Sequence, residues 1–358
     1  MHIFSDNRPV SICRSVILLL LISLQTAYSQ TVQIPFFDDF STTIGPNPDS
    51  KLWINGGTNI NNTFPLNQPS KNVATFDGRN AVGLPYDYTN QLAYGLTDSL
   101  TSRPINLSIY KPADSLYLSF FWEAKGLGEL PDNDDTLMVS FLTRSGDWKT
   151  VWKQNGVRSD VFEQDLIAIK DTSFFHANFQ FRFATKGRQS GAFDTWHVDY
   201  VYLNKNRNIR DIYTKDIAAT RITSSYLKRY TAMPMRQFMV NPTAEVRDTL
   251  RAELFNLQAD ANFPEYSWKI QDIVSGRVYY DASGTSFGNL PPRLTGSRQL
   301  VFPTITNFSS AKAILKFQFT VKTLDAVQPN LPGYNLALND SVSTHTILDD
   351  YYAYDDGT

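Results

Sequence analysis

The run DTWHVDYVYLN, residues 194–204, decides how this chain is read. If residues 196–203 form a strand, successive side chains point to opposite faces. Trp196, Val198, Tyr200 and Tyr202 then share one face, and His197, Asp199, Val201 and Leu203 the other. Both faces are largely apolar, so the strand is central. If the His197 face is the core, Asp199 is a buried carboxylate. An isolated ionised carboxylate is too costly to bury. Asp199 needs a metal, a cation or several backbone N–H donors.

Similar runs lie on both sides, including SLYLSFFWEA (115–124), TLMVSFLT (136–143), WKTVWKQ (148–154), FQFRFATK (179–186), LRAELFNL (250–257), YSWKIQDI (266–273) and AKAILKFQFTVKTL (311–324). They are rich in aromatic and β-branched residues and are separated by Gly, Asn, Asp and Pro clusters. Their spacing is too tight for strand–helix–strand units, which predicts an all-β chain of antiparallel sandwiches. Residues 30–206 form the first block. A polar connector follows, and residues 212–324, with alternating strands, fit an immunoglobulin-like sandwich. A turn-rich stretch, 325–345, reads as a linker. TILDDYYAYDDGT (346–358) reads as the start of a third β domain cut short at Thr358, because its Asp-Gly turn signal has no second strand.

The chain has 358 residues, 13% aromatic and 42% apolar, enough for large buried cores. Residues 1–29 read as a cleaved export signal. The apolar stretch SVILLLLISLQTA (15–27) is followed by small residues at Ala27 and Ser29, which predicts cleavage after Ser29. That stretch is shorter than the roughly 20 residues a spanning helix needs, and no later segment could cross a membrane as a helix. The protein is expected to be secreted or held at the outer cell surface. Cys13 is the only cysteine and leaves with the signal. This excludes cysteine-type zinc sites, redox motifs and cysteine nucleophiles. Cleavage removes Asp6, Arg8 and Arg14 and takes the net charge from −2 to −3. Neither sign dominates, so nucleic acid has no support as a partner.

Catalytic patterns are weak. A Ser-His-Asp triad needs a positioned nucleophile, and no G-x-S-x-G occurs. His176, His197 and His345 are too scattered for zinc. A histidine beside an aspartate on one strand reads more readily as a structural pair. Glu123 and Glu129 flank GLG in FFWEAKGLGELPDNDD, a strand followed by an acidic loop that reads as cation-binding or, more readily, solvated. Trp53, Trp122, Trp148, Trp152 and Trp196 could stack on sugar rings, although core packing is the more ordinary role for each.

The phrases PFFDDFS, NVATFDG, DSLTSRPINLS, DSLYLSFFWEAKGLGELPDNDDTLMVSF, WKTVW, FQFRFATKG, DTWHVDYVYLN and YTAMPMRQF resemble the N-terminal region of large multi-domain proteins exported by the type IX secretion system. The resemblance covers roughly residues 34–238 and again YYAYDDGT. The first block also resembles a MAM-like, concanavalin-type jelly roll. The carriers are an acidic first strand followed by Trp53, the W-x-x-x-W of Trp148 and Trp152, and a final strand ending in Asp199. MAM domains normally carry cysteines, which this block lacks. The type IX resemblance implies engagement with the secretion machinery through a C-terminal sorting region. None is recognisable before Thr358.

The jelly-roll resemblance implies a structural calcium shared between first and last strands, with Asp38, Asp39 and Asp199 as ligands and Asp77 as a further candidate. Calcium takes six to eight oxygens from carboxylates and carbonyls; the alternative is that these aspartates cap turns or pair with cations. The exported-protein resemblance implies O-glycosylation at Asp-Ser/Thr-apolar triplets: Ser99, Ser115, Thr136, Thr249 and Ser341 are the candidates. The expected function is non-enzymatic adhesion or binding of glycans or surface proteins. The alternatives are a secreted carbohydrate-active or other hydrolase, and a structural part of the cell surface or gliding apparatus.

Overall fold

Short alternating runs between turn-forming clusters become strands throughout the described residues of this computed structural model, which are 31–349 except 158, 160, 324 and 326. The expected export signal, residues 1–29, and the YYAYDDGT end, from 350 on, lie outside them. Among the described residues no helix is long and apolar enough to cross a membrane.

The first sandwich contains β1 (Phe36–Asp38), β2 (Trp53–Gly56), β3 (Asn59–Asn61), β4 (Val73–Phe76), β5 (Tyr94–Ser102), β6 (Leu116–Ala124), β7 (Thr136–Leu142), β8 (Trp148–Asn155), β9 (Glu163–Ile169), β10 (Phe181–Arg188) and β11 (Trp196–Asn204). One sheet runs β3-β4-β11-β6-β9, with β1 also paired to β11; the other runs β2-β5-β10-β7-β8. All these pairings are antiparallel. The inner faces enclose one aromatic core, including Phe36, Trp53, Phe120, Trp122, Phe183 and Trp196. Many of its rings meet edge to face, such as Trp53 and Phe181 at 5.6 Å, the arrangement the ring quadrupoles favour.

The second sandwich contains β12 (Ile217–Ile222), β13 (Ala232–Met233), β14 (Thr249–Asn256), β15 (Glu265–Asp272), β16 (Val278–Ser286), β17 (Thr295–Val301), β18 (Ala313–Lys322) and β19 (Ser341–Leu348). Its sheets are β12-β14-β17 and β13-β19-β18-β15-β16, closed over a core around Trp268, Phe317 and Phe319. The all-β expectation of two antiparallel sandwiches is thus observed.

The C-terminal boundaries need correction. Ser341–Leu348 does not begin a third domain: β19 pairs antiparallel with β18 along its whole length and parallel with β13. Val342, Thr346 and Leu348 are buried on its inner side. Threonines at half the inward positions hid this alternation in the sequence. Residues 325–340 are not a free linker either. Leu331, Tyr334 and Leu336 pack between the sandwiches with Phe37, Phe121, Tyr200, Tyr202, Phe255 and Leu257. The Tyr334 hydroxyl accepts from Phe37 N at 3.1 Å, and Asn330 O accepts from Tyr202 OH at 3.1 Å. Arg207, in the connector, is 6% exposed and ties the exit of β11 to β6 through Ser119 Oγ, Tyr117 O and Tyr202 O.

Candidate functional site

A bulge in β11 decides what each side chain of the opening run can do. Asp199 faces Phe121 on β6, but Tyr202 faces Ser119, so β11 carries one extra residue there. Tyr200 absorbs it with φ 53, a left-handed conformation uncommon for a bulky residue. The bulge reverses the phase. Trp196, Val198, Val201 and Leu203 enter the core, while Tyr200 and Tyr202 turn outward into the contact with the second sandwich. Simple alternation, which grouped Val201 with Asp199 and Tyr200 with Trp196, fails at this point.

Asp199 is fully buried and meets its need with hydrogen-bond donors: Ser70 N at 3.0 Å, Ser70 Oγ at 3.1 Å and Tyr200 N at 2.6 Å. Asp39 accepts from Ser41 N and Oγ, and from Asn339 Nδ2 at 3.0 Å. The same Asn339 Nδ2 donates to Asp216 at 2.9 Å, and that carboxyl oxygen also accepts from Tyr200 OH at 2.9 Å. Asp39 in the first strand and Asp216 before β12 are therefore joined through one amide. Beyond them Thr323 Oγ1 bridges Asp325 and Asp340. Burial pushes Asp199 and Asp216 well above the usual carboxylate range, with nearby Asp39 and Asp325 adding to it. Burial, then the Asp325 charge, pushes Asp340 up to about 7. Protonated acids donate as well as accept, so this cluster works as a polar joint between sandwiches.

The four expected calcium ligands do not form one site. Asp38 points into the first core, where its oxygens accept from Trp53 Nε1 at 2.7 Å and Phe40 N at 2.8 Å; burial pushes it up to about 7. Asp77 pairs with Arg79 beside Asp98, whose oxygen accepts from Asp77 N and Gly78 N. Asp39 lies within electrostatic reach of both Asp38 and Asp199, and all three are engaged by donors. Among the described residues no group of three His, Cys, Asp or Glu side chains is spaced to hold a metal. Chelator is accordingly expected to leave the melting midpoint unchanged within about 1 °C. A larger drop would reinstate a bound ion, since a ligand specific to the native state must stabilise it.

His197 is structural. Its Nδ1 lies 2.9 Å from Thr75 Oγ1 and its Nε2 3.3 Å from Lys125 O. The carbonyl requires a proton on Nε2, so Nδ1 accepts from the threonine. Burial holds its pKa down at about 4. Glu123 is fully buried and accepts from Leu66 N at 3.0 Å. Glu129 accepts from Asp194 N, so the acidic loop is tied to the closing strand rather than simply solvated.

The glycosylation candidates are all partly exposed and stand at strand or turn positions. Ser115 sits in a left-handed turn with φ 52. Thr136, Thr249 and Ser341 are first residues of β7, β14 and β19. Ser99 lies within β5 opposite Ala184. The aspartates that precede them serve locally: Asp98 binds the turn at Gly78, Asp114 accepts from Lys111 N, and Asp135 accepts from Asp132 N.

The two sheets of the first sandwich differ in what covers them. The outer side of the β3-β4-β11-β6-β9 sheet supplies Phe121, Tyr200 and Tyr202 to the contact with the second sandwich. Among the described residues the β2-β5-β10-β7-β8 sheet supplies none to that apolar contact. Its outward positions, traced through the pairing, include Ser99, Thr101, Arg182, Ala184, Ser140 and Thr150. Trp148 stands at the edge, with the Arg182 guanidinium 3.9 Å above its ring. Trp53, Trp122 and Trp196 are buried, and Trp152 packs on Phe120 and Trp122. Of the five tryptophans considered as sugar platforms, Trp148 alone points outward.

No family model and no curated protein matches this chain. Among solved structures it is similar to a xylan-binding domain from Paenibacillus barcinonensis (10% identity, 48% of this chain and 94% of that chain, TM-score 0.30). A family 22 carbohydrate-binding module of Clostridium thermocellum Xyn10B is 11% identical over 50% of this chain and 97% of that one, with a TM-score of 0.31. A Bacteroides uniformis β-glucuronidase is 10% identical over 74% of this chain and 28% of its own length, with a TM-score of 0.30. The chain thus spans about a third or less of the Bacteroides glycosidases it is similar to. These scores are too low to carry a functional argument.

Proposed function

We propose that this chain is a non-enzymatic, exported binding protein whose first sandwich takes glycans on the outer face of its β2-β5-β10-β7-β8 sheet. One observation carries the reading: the second sandwich occupies one outer face of the first and contributes nothing to the other. That face presents the hydroxyls of Ser99 and Thr150 beside exposed Ile54, Tyr94 and Leu96, with Trp148 at its edge, a combination able to meet both sugar hydroxyls and the C–H face of a sugar ring. The second sandwich then acts as a spacer docked through the polar joint. The buried acids support this reading over a hydrolase. Glu123, Asp199 and Asp216 are held by protein donors below the surface, whereas glycoside hydrolysis requires two carboxyl groups flanking an accessible bond. An exterior location is supported by the export-signal character of residues 1–29 and by the resemblance to type IX cargo.

The test is a polysaccharide array with residues 30–358, hydrolysis being followed in parallel. Binding without release of reducing ends is expected, with affinity reduced about tenfold in Trp148→Ala, equivalent to roughly 1.4 kcal/mol. Hydrolysis would move the chain to the enzyme class. Binding indifferent to Trp148 would place the glycan elsewhere.

A further inference from the structure

We propose that the free face of the β2-β5-β10-β7-β8 sheet selects anionic polysaccharide, a chain bearing carboxylate or sulfate groups, with Arg182 as its central contact. This rests on the glycan-binding reading above and adds the chemical class of the ligand.

The outward strand positions of this face carry Arg182, Lys186, Arg188 and Lys153 and no carboxylate; the nearest acids, Asp134 and Asp135, stand in the loop that meets Tyr94 at one edge. None of these four forms an ion pair with a described residue. Some exposed cations elsewhere do have acidic partners, such as Lys149 with Asp171 and Lys322 with Glu265. Like charges gathered on one surface attract the opposite charge and exclude their own.

Arg182 is also pre-oriented. Its guanidinium lies on the Trp148 ring, and its Nε donates to Thr101 Oγ1 at 2.9 Å. A stacked guanidinium with one edge fixed offers its remaining N–H groups as a planar fork, which matches carboxylate and sulfate oxygens. Fixing it in advance lowers the ordering cost of binding. Lys186 stands four residues further along β10, about 13 Å away at the usual strand rise, with its ammonium 4.8 Å from the Tyr94 ring. Between the two cations runs a low row, Gly56, Ser99, Ala184 and Met138, paired across four strands. Gly56, Ser99 and Ala184 are small and leave room for an extended chain over those three strands, with Met138 closing the row. Lys153 lies opposite Met138 at the end of that row. Cations on both sides of an open trough suit a repeating anionic polymer better than a single small anion.

The experiment uses residues 30–358 with three polymers: polygalacturonate, dextran sulfate and neutral xylan. Binding of polygalacturonate, dextran sulfate or both is expected, with affinity falling about tenfold or more between low and 0.3 M salt as the charges are screened. Which polymer binds separates carboxylate from sulfate. Arg182→Lys keeps the charge but loses the fork, and is expected to weaken binding about fivefold or more with an unchanged melting midpoint. Lys186→Gln should weaken it too, and Lys322→Gln on the second sandwich should not. Preference for neutral xylan that depends on Trp148 but not on Arg182 would overturn the anionic assignment and leave the glycan reading standing. Equal loss in Lys322→Gln would mean diffuse charge attraction and would also overturn it. Failure of all three polymers and of the array together would overturn both.

Discussion

Tyr200→Ala is expected to split the thermal unfolding of this chain into two transitions. Tyr200 is 2% exposed and sits at the centre of the contact between sandwiches. Its ring meets Phe37 edge to face at 5.0 Å and Phe121 at 6.2 Å. Its hydroxyl donates to Asp216. Truncating a buried aromatic residue to alanine typically costs about 3–5 kcal/mol. Here the loss falls on the surface that couples two cores, not on either core. Each sandwich keeps its own core intact, so each should melt by itself. Differential scanning calorimetry reads this directly against a single transition in the parent. Tyr200→Phe separates the contributions, because it keeps the ring and leaves Asp216 with Asn339 alone, at a cost of about 1–3 kcal/mol. One cooperative transition in Tyr200→Ala, merely shifted, would show that the sandwiches are coupled elsewhere.

Asp216→Asn is expected to stabilise the chain at pH 8 and to flatten its dependence on pH. A carboxyl whose pKa rises on folding is protonated in the folded chain where the unfolded chain has already ionised. Between the unfolded value of 3.8 and the raised folded value, the unfolded state loses protons first, and stability falls as pH climbs. Asp38, Asp98 and Asp340 are pushed up to about 7, and Asp199 and Asp216 well above the usual range, all chiefly by burial. A shift from 3.8 to about 7, as at Asp38, corresponds to about 4 kcal/mol in order of magnitude. The melting midpoint of the parent should therefore decline from pH 5 to pH 8. In Asp216→Asn the carboxamide oxygen can still accept from Tyr200 and Asn339. Its nitrogen replaces Oδ1, a buried atom with no hydrogen-bond partner. The variant should gain most over the parent at pH 8 and least at pH 5. A loss of stability at pH 8 would mean that Asp216 is needed as an anion, which would point back to a cation in the joint.

Much of the architecture was legible because strand formation is a local matter. Aromatic and β-branched runs between Gly, Asn, Asp and Pro clusters marked β6, β7, β10, β15 and β18 within a residue or two. The polar connector after residue 204 correctly separated two cores. Asp199 was expected to be buried if the His197 face were the core; the core takes Trp196 and Val198 instead, and Asp199 is buried on the opposite side. Its partners were not legible: Ser70 reaches it from a loop 129 residues away in sequence. β19 was misassigned because Val342, Thr344 and Thr346 give a faint apolar alternation, and its place depends on β18 and β13 lying ready on either side.

By itself the amino-acid order determined the all-β class and two separate cores. These follow from the two-residue side-chain period and local turn chemistry, neither of which needs a distant partner. Only the tertiary structure decided the rest. The extra residue at Asp199–Tyr200 is visible only against the register of β6, and it alone sends Tyr200 outward to the second sandwich. The meeting of Asp39, Asp216 and Asn339 spans 300 residues and depends on how two finished sandwiches dock. Among the described residues the same docking uses the other sheet face, and strand pairing gathers Arg182, Lys186 and Lys153 on this one, because neighbours across a sheet are set by pairing and not by order along the chain.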